Sequence, residues 1–402
     1  MASILKIPSE TSKGVLVFTT VERDLVLRKN SAVLKRIERL KSKWVIVLHP
    51  NYFDHDFKLD PIFDVTFNCV DLLTSSTPFS QLSVQVHSFT PSFFKPSKQE
   101  KFWDILHVSR AQTSKNIPEF FEIIRKLYDQ GKMYRVLLIC TIPDKNWLRG
   151  DIVSNIRDYY DELFTEPEKD LFTLLTTSYR QPYPFDTKTI SHFYNSSKIL
   201  LNTGGGERQG RINAYAWCTG MPLVSLDRMK DLIPQHLRKE PIFYPGKTYD
   251  DLPEQVIKAI EYSDTEHNLD DFEEMYHHCS ETFNERTLKK ELAKFYSVDN
   301  TVANDSLFNV TNLDRRVARH CGFGDTTTSI DVPLSSVIDY LETATNTELS
   351  ALITNDDPET QLFESGFLKR GKNPEFTGIK YTVKSFVMSV AIKIYKKYIK
   401  RK

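Results

Sequence analysis

The chain has 402 residues, 40% of them apolar, enough to bury the cores of about two domains. Lysine plus arginine and aspartate plus glutamate each number 53, so the formal net charge is zero and no global basic field for nucleic acid exists. The five cysteines (Cys69, Cys140, Cys218, Cys279 and Cys321) are scattered and form no Cys-x-x-Cys pair, which argues against a disulfide or zinc framework and for reduced thiols in the cytoplasm. No apolar leader follows Met1, and no run of about 18 apolar residues is present to span a membrane.

Gly14 to Phe18 is an apolar run that predicts a first strand. Asn30 is placed to cap a helix through Val33, Leu34, Ile37 and Leu40, apolar at helical spacing. Trp44–Leu48 predicts a second strand, and Asp64–Phe67 and Ser83–Val86 a third and fourth. Pro91 and Pro96 break the pattern and mark a linker. A second alternating block follows. It has strands at Trp103–Val108, Arg135–Cys140 and Leu171–Leu175, and helices at Pro118–Gln130, Ile152–Leu163 and Thr187–Asn195. Alternating strands and helices imply a parallel sheet covered on both faces. A long helical region is expected over Leu269–Tyr296, and short helical pieces over residues 300–375. Lys380–Lys402 carries no acid and many lysines, with Val383, Phe386, Val387, Val390, Ile394 and Tyr398 at helical spacing. Such a stretch reads as a basic amphipathic helix that could lie on an anionic membrane surface.

The densest signal lies in the middle. Ile199-Leu200-Leu201 reads as a buried strand and runs into Gly204-Gly205-Gly206-Glu207-Arg208-Gln209-Gly210. The glycines permit a sharp turn and a close backbone approach to a ligand. A helix is expected from Arg211 to Thr219, its free N–H groups facing the turn, and Gly220 and Pro222 suit its end. Leu223-Val224 begins the next strand. Strand, glycine-rich turn, helix and strand in this order suggest a nucleotide-binding half of a Rossmann-like sheet. Arg110 and Lys115, beyond the Trp103–Val108 strand, are two cations at a strand-to-helix crossover, suited to neutralising a diphosphate. Asp54-His55-Asp56 has the letters of a metal motif but sits in an aromatic-rich loop, and the adjacent His277 and His278 of a predicted helix point in different directions.

Taken together, these pieces resemble the retaining glycosyltransferases of family 4, which have the GT-B fold. Phe93-Phe94-Lys95-Pro96 matches the extended segment that opens the family's donor domain, and Val108-Ser109-Arg110 with Lys115 matches its Val-Gly-Arg strand end and following lysine. Glu207-Arg208-Gln209-Gly210 matches the Glu-Gly-Phe-Gly turn, and Tyr215 to Pro222 the helix end Glu-Ala-Met-Ala-x-Gly-x-Pro. The resemblance covers about residues 89–300.

The resemblance implies two Rossmann-like halves, the N-terminal one reduced, with a helical C-terminal extension. The expected divisions are residues 1–94 and 95–265, closing helices over 266–300, and an extension over 301–402. It implies catalytic roles for Glu207, Arg110 and Lys115: the cations bind the donor diphosphate and Glu207 holds the sugar. Gly205, Gly206, Gly210, Arg211 and Tyr215 would contact the donor, and Thr141 and Gln181 would border the base. Tyr215 stands where the family has a ribose-binding glutamate, so restoring glutamate there is expected to be tolerated. The function implied is metal-independent transfer of a sugar from a nucleotide-sugar donor to a glycan or lipid-linked acceptor. No cofactor beyond the donor is implied. The alternative is a non-catalytic nucleotide-sugar-binding or scaffold protein on the same fold.

Overall fold

The computed structural model describes residues 3–10, 12–19, 31–49, 61–67, 80–82, 90–141, 151–176, 185, 187–204, 210–265, 269–293 and 334–354. The chain divides into two compact units, one formed by residues 1–84 with 288–402 and the other by residues 85–287. No helix among the described residues is long and apolar enough to cross a membrane.

The first unit holds a five-stranded sheet in the order β1 (Ser3–Lys6), β2 (Gly14–Thr19), β3 (Trp44–His49), β4 (Val65–Phe67), β5 (Ser80–Leu82). β1 runs antiparallel to β2, and the other pairs are parallel. Leu16, Val17, Ile46 and Val47 are all fully buried, as expected of parallel strands covered on both faces. The Ser31–Leu40 helix packs Ile37 and Leu40 into this core. The helices Leu334–Thr343 and Asn346–Thr354, far off in sequence, supply Ile338, Leu341 and Leu349 to the same core. Arg36 fastens the first of them to the Ser31–Leu40 helix, reaching Asp339 at 2.5 Å and Glu342 at 2.6 Å. The expected fourth strand at Ser83–Val86 lies outside the described residues. The fifth strand found is Ser80–Leu82, paired with Val65–Phe67.

The second unit is built on six parallel strands: β6 (Trp103–Arg110), β7 (Val136–Thr141), β8 (Phe172–Thr176), β9 (Ser197–Asn202), β10 (Leu223–Leu226) and β11 (Phe243–Gly246). Their spatial order is β11-β10-β9-β6-β7-β8. Ranked by chain position from the β8 edge, that is 3-2-1-4-5-6, the order of a dinucleotide-binding sheet. The chain therefore combines mixed α/β architecture with a Rossmann-like second unit. The order reverses between β6 and β9, and ligands of such sheets bind in the crevice beyond the C-terminal ends of the strands there.

Two apolar clusters cover the faces. One joins Ile105, Phe120, Phe121, Leu138, Phe172 and Ile199 to the helices Ile117–Asp129, Asp151–Leu163 and Leu252–Asp264. The other joins Leu106, Leu137, Leu200 and Leu223 to the helices Thr187–Asn195, Arg211–Cys218 and Glu273–Cys279. The long helix expected over Leu269–Tyr296 is interrupted. A 3-10 turn at Leu269–Phe272 is followed by Glu273–Cys279 and Glu281–Ala293, with Ser280 extended between them. Thr90 causes the break, because its N–H donates to the Cys279 carbonyl and its own carbonyl accepts from Glu281 N–H.

Candidate functional site

Arg110 is the last residue of β6 and is exposed at the C-terminal edge of the sheet. It pairs in register with Thr141, the last residue of β7. The chain then makes a 3-10 turn, Thr113–Lys115, and enters the Ile117–Asp129 helix through Asn116. Asn116 has φ 48° and ψ 51°, a left-handed conformation that asparagine tolerates better than most residues. Pro118 sits in the first turn of that helix, where its missing N–H costs nothing. Lys115 lies close enough to Arg110 to feel its charge. Burial, aided by the Arg110 charge, lowers its ammonium to about 8. It thus remains mostly protonated at neutral pH, yet is poorly solvated, a state that an incoming anion relieves.

Across the reversal, β9 ends at Asn202, which organises the start of the glycine-rich turn. Its Oδ1 accepts from Gly204 N–H at 2.9 Å, and its Nδ2 donates to Asn213 Oδ1 at 2.8 Å. Its carbonyl accepts from the Ser225 hydroxyl at 2.6 Å. Asn213 belongs to the first turn of the Arg211–Cys218 helix, which Gly210 caps without a side-chain bond. The helix ends as the glycine at 220 requires. Gly220, at φ 73°, donates to Trp217 O, and Met221 N–H reaches back to Ala216 O at 2.8 Å. Gly205, Gly206, Glu207, Gln181, Ile142, Pro143 and residues 179–182 lie outside the described residues.

Beneath the crevice, His107 on β6 is buried. Its Nδ1 donates to the Leu201 carbonyl at 2.7 Å, its ring lies 4.7 Å from Phe120, and burial lowers its pKa to about 4. It is therefore a neutral imidazole fastening β6 to β9.

The structure places Arg110 and Lys115 on one side of the reversal and Gly204, Gly210 and Arg211 on the other. It treats Tyr215 differently. That side chain is 7% exposed, its ring stacks on Phe94 at 3.9 Å with 12° between planes, and it meets Tyr194 edge-on at 5.8 Å. Phe94 itself is fully buried. The Phe93–Pro96 segment is thus anchored to the Arg211–Cys218 helix through this aromatic trio. The site also contains residues that sequence reasoning did not single out: Asn116, Asn202, Thr203, Asn213, Arg228 and Tyr249. Only Asn116 left a signal, an asparagine two residues before Pro118 at a helix entry. Among the described residues no group of three His, Cys, Asp or Glu side chains could hold a metal ion.

No family model and no curated protein matches the chain. Among solved structures, it is similar to the pneumococcal O-GlcNAc transferase GtfA in complex with UDP and GlcNAc, at 14% identity over 64% of this chain and 54% of that one, TM-score 0.43. A mutant of S. aureus TarM in complex with Fondaparinux, alpha-GlcNAc-glycerol and UDP gives 11% identity over 64% and 51%, TM-score 0.45. A glycosyltransferase from Rickettsia africae ESF-5 gives 10% identity over 70% and 90%, TM-score 0.46. The chain thus spans about half the length of the first two. All three likenesses are remote.

Proposed function

We propose that the protein is a GT-B glycosyltransferase, resembling family 4, that moves a hexosyl or pentosyl group from a nucleotide-sugar donor to a glycan or lipid-linked acceptor. The observation that carries this reading is the pairing of two loops at the strand-order reversal. One supplies Arg110 and Lys115, and the other begins at Gly204, where the glycine-rich stretch of the sequence starts, and resumes at Gly210, which caps the Arg211–Cys218 helix. A diphosphate bridging these loops meets two cations, backbone amides and a helix N-terminus. In this reading Gly205, Gly206, Gly210 and Arg211 hold the diphosphate, Glu207 binds the sugar hydroxyls, Thr141 and Gln181 border the base, and the packed Tyr215 ring backs the ribose.

The reaction proposed is retaining. The bond from the anomeric carbon to the phosphate oxygen breaks, and its electron pair goes to the diphosphate. The acceptor oxygen bonds to the anomeric carbon on the same face, and its proton passes to the departing phosphate oxygen. Arg110, Lys115 and the helix N-terminus stabilise the charge that develops on the leaving group. These groups neutralise the diphosphate without calling on a metal ion. The first unit, with its five-stranded sheet, is the acceptor half in this reading, and the cytoplasm the site of action.

The test is a screen of nucleotide sugars for thermal stabilisation of the full chain, followed by an assay of sugar release from the best donor. If no nucleotide sugar raises the melting temperature, the proposal fails. The Tyr215 stack favours a second reading, in which the protein binds a nucleotide sugar without turning it over. Stabilisation with no sugar release to water or to any acceptor would support that reading.

A further inference from the structure

The two loops at the reversal are also bonded to one another, through residues with no role assigned above. The Thr203 hydroxyl donates to the Lys115 carbonyl at 3.0 Å. The Thr203 carbonyl accepts from Asn116 Nδ2 at 3.0 Å and from the Tyr249 hydroxyl at 3.0 Å. That hydroxyl accepts in turn from Asn116 Nδ2 at 2.6 Å and from Arg228 at 3.1 Å. The phenol thus donates one bond and accepts two, its full capacity. Tyr249 arrives from the 3-10 turn after β11, the sheet's far edge strand, and Arg228 from the turn after β10.

We propose that Asn116, Thr203 and Tyr249 are positioning residues, a clamp that fixes the spacing between the Arg110–Lys115 loop and the chain at Gly204, so that the gap a diphosphate spans is set before ligand arrives. The proposal rests on the reading of this site as a diphosphate site. Three features support it. First, the clamp joins the last residue of the cation loop to the residue just before Gly204, so any change in it alters the gap that the phosphates must span. Second, Asn116 holds a left-handed backbone at the loop's end, and local strain of that kind persists where surrounding contacts over-determine it. Third, the same contacts keep Lys115 in its poorly solvated position, so opening the clamp returns that ammonium toward ordinary lysine behaviour.

The experiment uses the full chain and inorganic pyrophosphate, which needs no knowledge of the base or sugar. Calorimetric affinity is measured from pH 6.5 to 9.5 for the parent, Tyr249→Phe, Asn116→Gly, Arg110→Ala and Lys115→Ala, with thermal melting beside each. Tyr249→Phe keeps the ring and removes the hydroxyl. Asn116→Gly keeps the positive φ available and removes the side-chain bonds, so it separates the clamp from backbone strain. Each is expected to weaken pyrophosphate about fivefold to tenfold at neutral pH, as the loss of ordered hydrogen bonds implies. In both, the fall in affinity expected of the parent as pH rises past about 8 should move to higher pH. Taking each variant against the parent cancels the titration of the ligand itself. Parent-like affinity and parent-like pH dependence in both Tyr249→Phe and Asn116→Gly overturn the clamp. If Arg110→Ala and Lys115→Ala also bind pyrophosphate like the parent, the diphosphate reading of the site falls with it. If those two lose affinity while the clamp variants do not, only the clamp is lost.

Discussion

Replacing Tyr215 by glutamate brings the chain closer to the family pattern, yet the structure predicts a large loss of stability. The ring is 7% exposed and stacked on Phe94, with Tyr194 against its edge. Each aromatic contact is worth about 0.5–1.5 kcal/mol beyond area burial. Deleting a buried aromatic outright costs about 3–5 kcal/mol, of which the shorter glutamate side chain recovers only part. The carboxyl then lies among Phe94, Tyr194 and the apolar lining of that cluster, with a desolvation cost of about 1–3 kcal/mol if it finds no partner. A net loss of about 4 kcal/mol is expected at neutral pH, a large share of the roughly 5–15 kcal/mol that holds a domain folded. The sign of the pH dependence follows from burial, which raises the carboxyl's folded pKa above its unfolded value of about 4.3. The variant's stability therefore falls as pH rises from about 4.3 through the folded value, so the penalty is smaller at pH 5 than at pH 8. Urea unfolding followed by tryptophan fluorescence, with Tyr215→Phe as control, measures this, because Trp217 sits two residues away and is itself buried. An unfolding free energy of Tyr215→Glu within about 1 kcal/mol of that of Tyr215→Phe at pH 7 would refute the packing argument.

Lys115→Arg is expected to flatten the decline of pyrophosphate affinity above pH about 8, since an arginine stays charged there; a decline equal to the parent's would mean that another group titrates. Arg110→Ala and Lys115→Ala should each weaken a nucleoside diphosphate more than the bare nucleoside, and equal losses in calorimetry would assign both residues to folding instead. Glu207→Gln is expected to slow sugar transfer about tenfold to 150-fold with the melting temperature unchanged, because a charged acceptor worth about 1.5–3 kcal/mol in hydrogen bonds disappears; wild-type turnover would remove Glu207 from the mechanism. For Lys380–Lys402, outside the described residues, co-sedimentation with anionic vesicles should fall on truncation after Gly378, and equal pelleting of the two forms would dismiss a membrane role.

The strands of the second unit are legible because a parallel sheet buries both faces, so Leu137-Leu138-Ile139 and Ile199-Leu200-Leu201 stand out as uninterrupted apolar runs. β11 is not, since Phe243-Tyr244-Pro245-Gly246 ends in two residues that normally break strands. It is tolerated as an edge strand that, among the described residues, pairs with β10 alone. Pro253 hides the Leu252–Asp264 helix in the same way, although it occupies the first turn, where proline fits. The break at Ser280 depends on Thr90, 190 residues earlier, and no local pattern carries that information. The site divides along the same line. Arg110 and Lys115 follow from their place after a strand, whereas Tyr249 meets Thr203 through a contact spanning 46 residues. Tyr215 shows the converse. Its alignment with a family position is visible in the letters, and its stacking on Phe94 is not.

A net charge of zero does not describe the surface a ligand would meet. The C-terminal edge of the β11-β10-β9-β6-β7-β8 sheet collects Arg110 at the end of β6, Lys115 after it, Arg211 after β9 and Arg228 after β10. Acids stand at this edge as well, Asp227 after β10 and Asp250 after β11, and others lie elsewhere. Asp104 pairs with Lys198, Glu168 with Arg125, and Asp250 with Lys126. Because Lys115 is partly desolvated, its charge acts through a medium less polarisable than water, and an interaction there weighs several times more than at an exposed pair. Salt screens exposed charges over roughly 8 Å at physiological ionic strength and buried ones much less. The exposed Arg110 should therefore contribute the salt-sensitive part of diphosphate binding and Lys115 the part that persists. In a titration from low to high salt, Arg110→Ala should flatten the salt dependence of pyrophosphate affinity while Lys115→Ala lowers the affinity with the slope kept. The opposite assignment of slopes would mean that exposure does not set how each cation acts.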